Sequence, residues 1–298
     1  MPIEEMAPLD ELRRRVFQIE RLQAMPLVIT RLVEALASDR TTPATLEKII
    51  ESDQALACKL LSLANSAYYG FSQKITTMKR AIVIIGFREL QLLALGAGLA
   101  GLFDMRKVPP GFDGEGLWIH SLVVSWAARE LAEASKYSAS GEIMIAGLLH
   151  DLGKLVLATH LSDYYVKVLE KIEEGVSAYE AEEQLGLKHT TVGNWLAKKW
   201  CLPDVHIAAI RDHHSPRPSD PHFKSTGLIY MADTLAKKLG FGLVQQARPL
   251  DMAPVMRATN LTVDLIRTVA MRAKEQVPPM LNMWQHMFME KREFNAGR

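Results

Sequence analysis

Residues 49–65 read IIESDQALACKLLSLAN, and this stretch carries the periodicity that indicates the fold class. Its apolar side chains recur at steps of three and four residues, at Leu56, Leu60, Leu63 and Ala64, which is the spacing of one helical face. Asp53 precedes them and can cap the helix by accepting free backbone N–H bonds. Because the stretch does not alternate as a strand would, it predicts short helices packed in a bundle.

The helical period extends along the chain in both directions. Apolar residues recur in the same way through 27–36, and Thr42-Pro43 supplies an N-cap followed by proline at the first helical position. Further on, the pattern predicts helices with ends placed to within about 2–4 residues. These segments are 116–136, 139–149, 161–174, 188–200, 203–214 and 224–239. No segment is rich in strand formers, so we predict an all-α protein.

A run of helix breakers divides the chain. Residues 108–114 read VPPGFDG, and proline lacks an N–H while glycine relaxes φ, so we place a boundary between two lobes there. The predicted segments are an N-terminal extension (1–20), an N-terminal helical lobe (21–110), a second helical lobe (111–240) and C-terminal helices (241–298). We expect the methionines of the last segment to fill an irregular core, although Met-rich surfaces also bind partners. They are Met252, Met256, Met271, Met280, Met283, Met287 and Met289.

Composition narrows the class of protein. With 48% apolar and 23% charged residues among 298, the chain is typical of globular proteins. A net charge of +1 offers no broad attraction for nucleic acid, so we expect no DNA among its partners. The two cysteines, Cys58 and Cys201, form neither a disulfide framework nor a CxxC knuckle, which fits a reducing compartment.

Hydropathy predicts a cytoplasmic protein that does not enter a membrane. Residues 1–20 contain no apolar run of the secretory type. In the most apolar stretch, 81–103, Arg88 and Glu89 leave residues 90–103, which are too few to span a bilayer that needs about 20. We therefore predict that residues 90–103 form a buried core helix.

Residues 96–101 read GAGLAG, which matches the glycine pattern of dinucleotide-binding turns. That motif needs a strand before it and βα units after it, whereas the preceding residues 87–95 are helical in pattern. We interpret the small residues as sites of close helix packing.

Histidines and aspartates recur beside the helices predicted for the second lobe, and we predict that they are metal ligands. Imidazole and carboxylate groups suit iron, manganese or zinc, and two ions can share a bridging carboxylate. Such a site can hydrolyse phosphate esters, with Asp151 and Lys154 as candidate catalytic residues. Taken singly, each ligand has an alternative as a helix cap or a packed side chain, and His206 is a candidate supporting group. The predicted ligands are His120, His150, Asp151, His189, His213, His214 and Asp233.

The chain resembles the HDOD family over roughly residues 20–240. The resemblance lies in IIESDQAL (49–56), LLSLANSAYYG (60–70) and residues 75–86, and continues through GLLHDLGK (147–154), WCLP (200–203) and 210–214. It implies a helical bundle joined to an HD-like helical lobe related to HD-GYP phosphodiesterases, which hydrolyse cyclic di-GMP at a two-metal site. The seven candidate ligands match that ligand pattern, but SPRPSDP (215–221) follows His214 in place of the GYP signature.

The resemblance also implies a role in bacterial signalling. We expect a regulatory module that binds bacterial signalling proteins and holds one or two divalent ions, with iron, manganese or zinc as candidates. The alternative is a metal-dependent phosphohydrolase that acts on a nucleotide or cyclic dinucleotide, with a phosphate bound near the ions. A third possibility is a helical scaffold whose histidines only pack.

Overall fold

In the computed structural model, residues 9–38, 40–65, 74–103, 105–241 and 252–296 are described, although the side chains of 21, 283 and 285–296 are not. Within these ranges the regular structure is entirely helical, as predicted. The first helices are α1 (Leu9–Gln18), α2 (Leu27–Leu36), α3 (Pro43–Glu51), α4 (Gln54–Ala64), α5 (Met78–Ile85) and α6 (Phe87–Ala100). They are followed by α7 (Gly114–Ala134), α8 (Ser140–Leu149), α9 (Leu152–His160), α10 (Ser162–Glu173) and α11 (Ala178–Gln184). The last are α12 (His189–Lys199), α13 (Asp204–Asp212), α14 (Phe223–Lys238), α15 (Ala253–Thr259) and α16 (Val263–Ala296).

Local sequence signals set where several helices begin. The Thr42 hydroxyl accepts from the Thr45 N–H at 3.2 Å, with Pro43 at the first helical position. The Asp53 carboxylate accepts from the Leu56 N–H at 2.9 Å. Both predicted caps are therefore confirmed. The six helices predicted after residue 115 are present within two residues at each end, whereas α9 and α11 were not among them.

The predicted core helix is α6, which ends at Ala100 and buries most of its side chains. Gly86 separates it from α5 with a φ of 96°, a left-handed value that favours glycine. In the described part of the chain, no single helix is both long and apolar enough to cross a membrane. Helices α5 and α6 reach that length and apolar character only when taken as a pair, and they meet at a bend of 114°.

The GAGLAG segment lies inside α6 and at its end, and it packs against other helices. A Cβ on Gly96 would overlap the Trp284 ring of α16, and one on Gly98 would lie 3.1 Å from Ile29 of α2. Close helix packing is thus confirmed as the use of these small residues.

Helices α7–α14 form a bundle, hereafter the α7–α14 bundle, that positions the candidate ligands. Helix α7 packs along α8 and α14, and α12 packs between α9 and α13. A contiguous set of buried apolar side chains extends from Leu12 through this bundle to Trp284. Residues 108–113 connect α7 to a 3₁₀ turn at Met105–Lys107, as their breakers suggest. The division into lobes at this point stays a prediction.

The methionines of the C-terminal part are not uniformly core residues. Met280 is buried as predicted, Met252 and Met256 are half-buried, and Met271 is 61% exposed, so the prediction is wrong for Met271. The side chains of Met283, Met287 and Met289 lie outside the described residues. Both cysteines are free and exposed.

Candidate metal centre

All seven predicted ligands converge at one place inside the α7–α14 bundle. His120 projects from α7, His150 and Asp151 lie between α8 and α9, and His189 is the first residue of α12. His213 and His214 follow α13 directly, and Asp233 lies on α14. Six of these residues are at most 2% exposed, whereas His214 is half-buried.

The candidate ligands form two groups that share one carboxylate. The His189 cluster consists of Asp151, His189, His213 and His214, and one candidate ligand atom from each lies within 4.8 Å of the others. The His120 cluster consists of His120, His150 and Asp151 at the same separation, and Asp233 joins it with Oδ1 at 2.9 Å from His120 Nε2. Each group can hold a metal ion.

Each oxygen of Asp151 faces one cluster. Oδ1 lies 3.2 Å from His189 Nε2 and 3.6 Å from His213 Nε2. Oδ2 lies 3.3 Å from His150 Nε2 and 3.9 Å from His120 Nε2. This is the arrangement that a carboxylate bridging two ions requires.

The imidazoles are oriented by hydrogen bonds from the nitrogen that faces away from the clusters. His120 Nδ1 donates to the Phe241 carbonyl at 3.4 Å, and His150 Nδ1 donates to the Gly147 carbonyl at 2.7 Å. His213 Nδ1 donates to the carbonyls of residues 209 and 210, and His189 Nδ1 donates to Glu182 Oε2. Since Nδ1 carries the proton, the Nε2 atom of each neutral ring directs its lone pair into the site, as metal-bound histidines do.

Four buried atoms at the centre have no hydrogen-bond partner among the described residues: His120 Nε2, His150 Nε2, Asp151 Oδ1 and Asp233 Oδ1. His120 Nε2 and Asp233 Oδ1 are only 2.9 Å apart. In the other cluster, the Nε2 atoms of His189 and His214 approach to 3.1 Å. Buried acceptors without donors are costly, and acceptors that converge in this way fit a shared cation.

Three charged side chains surround the ligands. Lys154 Nζ donates to Asp151 Oδ2 at 2.8 Å, and Lys237 Nζ donates to Asp233 Oδ2 at 2.8 Å. Glu182 on α11 is fully buried and also accepts the backbone N–H of His189 at 2.8 Å. The carboxylates at this centre are therefore partly neutralised without any ion.

The electrostatics favour charged carboxylates and mostly neutral imidazoles. Burial lowers the pKa of His120 and brings the pKa of His213 to about 4. Burial would raise the pKa of Asp151, but His150 and Lys154 outweigh it and hold that pKa well below its ordinary value. Burial likewise lowers the pKa of His189, but Glu182 more than offsets it, and the pKa is raised. Ion binding at the His189 cluster therefore competes with protonation of His189.

Close backbone contact brings Asp151 and His189 together. A Cβ on Gly153 would overlap the His189 carbonyl and lie 2.8 Å from the Gly193 N atom. Only glycine at this position lets the start of α9 lie directly against α12, which places Asp151 and Lys154 beside the first residue of α12.

Residues 215–221, which stand in place of the GYP signature, are held by ion pairs. Arg211 Nη2 lies 3.0 Å from Asp220 Oδ2, and Arg217 Nη2 lies 3.2 Å from Asp212 Oδ2. These contacts tie residues 215–221 to the end of α13, next to His213 and His214.

Sequence reasoning missed Glu182 and Lys237. Lys237 follows Asp233 by four residues, so helical spacing alone could have paired them. No sequence signal distinguished Glu182, because its neighbours Glu180 and Glu183 are equally acidic. Only the fold determines that Glu182 is the one that faces the interior. His206, considered as a supporting group, is fully buried on α13 and belongs to neither cluster.

These observations define the class: this is an all-helical protein whose bundle encloses a centre of histidines and aspartates. A model of the HDOD domain matches residues 22–216, and the chain belongs to the HDOD domain family. The early resemblance is thus confirmed.

Two curated relatives match part of the chain. An uncharacterized protein of Treponema pallidum (strain Nichols) is 28% identical over 205 residues, which cover 66% of this chain and 38% of that protein. Ribonuclease Y of Aquifex aeolicus (strain VF5) is 25% identical over 191 residues, covering 64% of this chain and 28% of that protein. The chain spans well under half the length of either relative.

Solved structures share the fold at low identity. An HDOD domain protein from Geobacter sulfurreducens gives a TM-score of 0.71 at 21% identity, covering 89% of this chain and 92% of that one. A candidate signal-transduction protein from Marinobacter aquaeolei VT8 gives 0.73 at 21%, covering 92% and 65%. A candidate phosphohydrolase from Shewanella amazonensis SB2B gives 0.65 at 23%, covering 91% and 97%.

Proposed function

We propose that this protein is a regulatory signal-transduction module whose HD-like site holds one or two divalent metal ions. The observation that carries the proposal is closure of the site, because six of the seven ligands are at most 2% exposed. A catalytic metal needs a coordination position that substrate can reach, whereas structural sites are closed. Only the half-buried His214 reaches toward the surface.

The ligand set supports an ion that joins helices. His120, Asp151, His189, His213 and Asp233 come from different parts of the α7–α14 bundle. A divalent ion would supply positive charge and coordination for their unpaired acceptors, and its binding free energy would add to the stability of the fold.

The partners we propose are bacterial signalling proteins in the cytoplasm. Family membership and the name of the Marinobacter structure support this, and the net charge of +1 gives DNA no broad attraction. Iron, manganese and zinc are all compatible with imidazole and carboxylate ligands.

The test is elemental analysis of protein purified without chelator or histidine tag. Wild type is compared with a His150→Ala/Asp151→Ala double variant and with a His160→Ala/His222→Ala control, whose histidines lie outside both clusters. We expect about one or two ions per chain in wild type and control, and none in the site variant. Metal-free wild type that also fails to take up added ions would overturn the proposal in favour of a packed scaffold.

The second candidate is a metal-dependent phosphohydrolase, and the carboxylate shared by the two clusters favours it. The two clusters, with Asp151 common to both, would hold the ions, and bound ions would supply positive charge for phosphate oxygens and lower the pKa of a water. Lys154 would hold positive charge beside Asp151, and substrate would have to enter past His214. The names ribonuclease Y and phosphohydrolase among the similar proteins support the same chemistry.

A substrate panel separates the two candidates. It contains nucleotides, cyclic dinucleotides and an RNA oligonucleotide, each incubated with metal-loaded protein. Turnover that disappears in the His150→Ala/Asp151→Ala variant would overturn the purely regulatory function. Absence of both turnover and nucleotide binding would reject the phosphohydrolase.

A further inference from the structure

We infer that the two clusters bind divalent ions with unequal affinity, the His189 cluster tightly and the His120 cluster weakly, and that Lys237 sets the difference. The inference rests on the proposed metal site and specifies how it fills. It follows from the charged side chains that lie around each cluster.

The His120 cluster has its negative charge already neutralised. Its two carboxylates, Asp151 and Asp233, each accept from a lysine ammonium at 2.8 Å, from Lys154 and Lys237 respectively. Two carboxylates against two ammonium groups leave no net charge to attract a cation.

With the His189 ring neutral, as binding of an ion to its Nε2 atom requires, the His189 cluster retains a negative charge. Asp151 and Glu182 contribute two carboxylates, and within the described ranges Lys154 is the one ammonium bonded to either of them. The Lys154 bond is made to Oδ2, whereas the oxygen that faces His189 and His213 is Oδ1, which accepts no hydrogen bond. Glu182 also fixes the His189 ring through Nδ1.

Lys237 distinguishes the clusters because it bonds a carboxylate of the His120 cluster alone, whereas the carboxylate that Lys154 bonds is common to both. A unit charge beside a partly buried dication changes its binding by at least about tenfold. The Lys237 side chain is 10% exposed, so methionine can replace it without burying a new polar group. Lys238, the next residue on α14, is exposed and provides a matched control.

The experiment follows Mn²⁺ uptake by full-length protein freed of metal with a chelator. Equilibrium dialysis over rising Mn²⁺ concentration gives the number of ions, and electron paramagnetic resonance separates isolated Mn²⁺ from a bridged, spin-coupled pair. For wild type and Lys238→Met we expect one isolated ion first, and a second ion with coupling only at concentrations at least about tenfold higher. For Lys237→Met we expect the two steps to merge and coupling to appear with the first additions.

The outcomes separate this inference from the proposed function. Wild type that takes up two ions in one step would overturn the inequality while leaving the metal site in place. A folded Lys237→Met variant that binds its first and second Mn²⁺ ions at concentrations as far apart as wild type does would overturn the role of Lys237. Wild type that takes up no Mn²⁺ would overturn the metal site itself. If Lys237→Met does not fold, Glu182→Gln serves in its place, and a first ion that binds no more weakly than in wild type would overturn the inference.

Discussion

Replacement of Gly153 by alanine tests how the start of α9 positions the centre. The added methyl would overlap the His189 carbonyl and lie 2.8 Å from the Gly193 N atom, so backbone, rather than a flexible side chain, stands in its way. Alanine gains about 0.5–1 kcal/mol in a helix, whereas overpacking costs about 1–3 kcal/mol. Because two helices must separate here, we expect a net loss of about 2 kcal/mol. Urea unfolding of the metal-free protein measures it.

The same displacement should weaken metal binding, since it separates Asp151 from His189. We expect Gly153→Ala to hold Mn²⁺ at least about tenfold less tightly than wild type, consistent with loss of ligand orientation. Gly98→Ala is the matched control, because its methyl would meet only the Ile29 side chain, at 3.1 Å, far from the ligands in sequence. If both variants unfold at the urea concentration of wild type, and both retain its Mn²⁺ affinity, the packing argument is refuted.

Three further predictions concern single side chains. Burial lowers the pKa of His206 from 6.5 to about 4, so the unfolded chain takes up a proton first and stability falls as the pH drops through this range. The loss of unfolding free energy reaches about 3 kcal/mol. Over the same pH range the unfolding free energy of His206→Leu should fall less than that of wild type, and an equal fall in both proteins would contradict the prediction. Glu182→Gln keeps the volume but removes the charge behind His189, and dialysis should show about 10–100-fold weaker Mn²⁺ binding with unchanged circular dichroism. Trp284→Ala leaves a cavity beside Gly96 and should cost about 3–5 kcal/mol on urea unfolding; a loss below about 1 kcal/mol would place the ring outside the core.

Closure of the site bears on how function could be regulated. His214 is the one candidate ligand that is half-buried rather than buried, and its ring packs against Tyr179 with centroids 4.7 Å apart. Any exchange of ions or entry of a phosphate group would involve this side of the His189 cluster. A regulatory module that exchanges its ions slowly needs the contact between His214 and Tyr179 to stay closed. An enzyme needs the same contact to open so that substrate can enter.

The sequence by itself determined the helical class and the set of candidate ligands. Periodicity marked the helices, Thr42 and Asp53 marked two of their starts, and the ordered histidines and aspartates marked the seven residues that meet. These signals are local, because a helix needs only its own spacing and caps, and the ligands carry chemistry in their residue types.

Tertiary structure alone decided how the ligands are grouped and what surrounds them. The two oxygens of Asp151 face different clusters, Glu182 rather than Glu180 or Glu183 points inward, and Gly153 lies against the backbone of α12. Each of these depends on how separate helices pack, which no local pattern encodes. The physical reason is that spacing along the chain determines which face of a helix a side chain occupies, whereas only the packed bundle determines what that face meets.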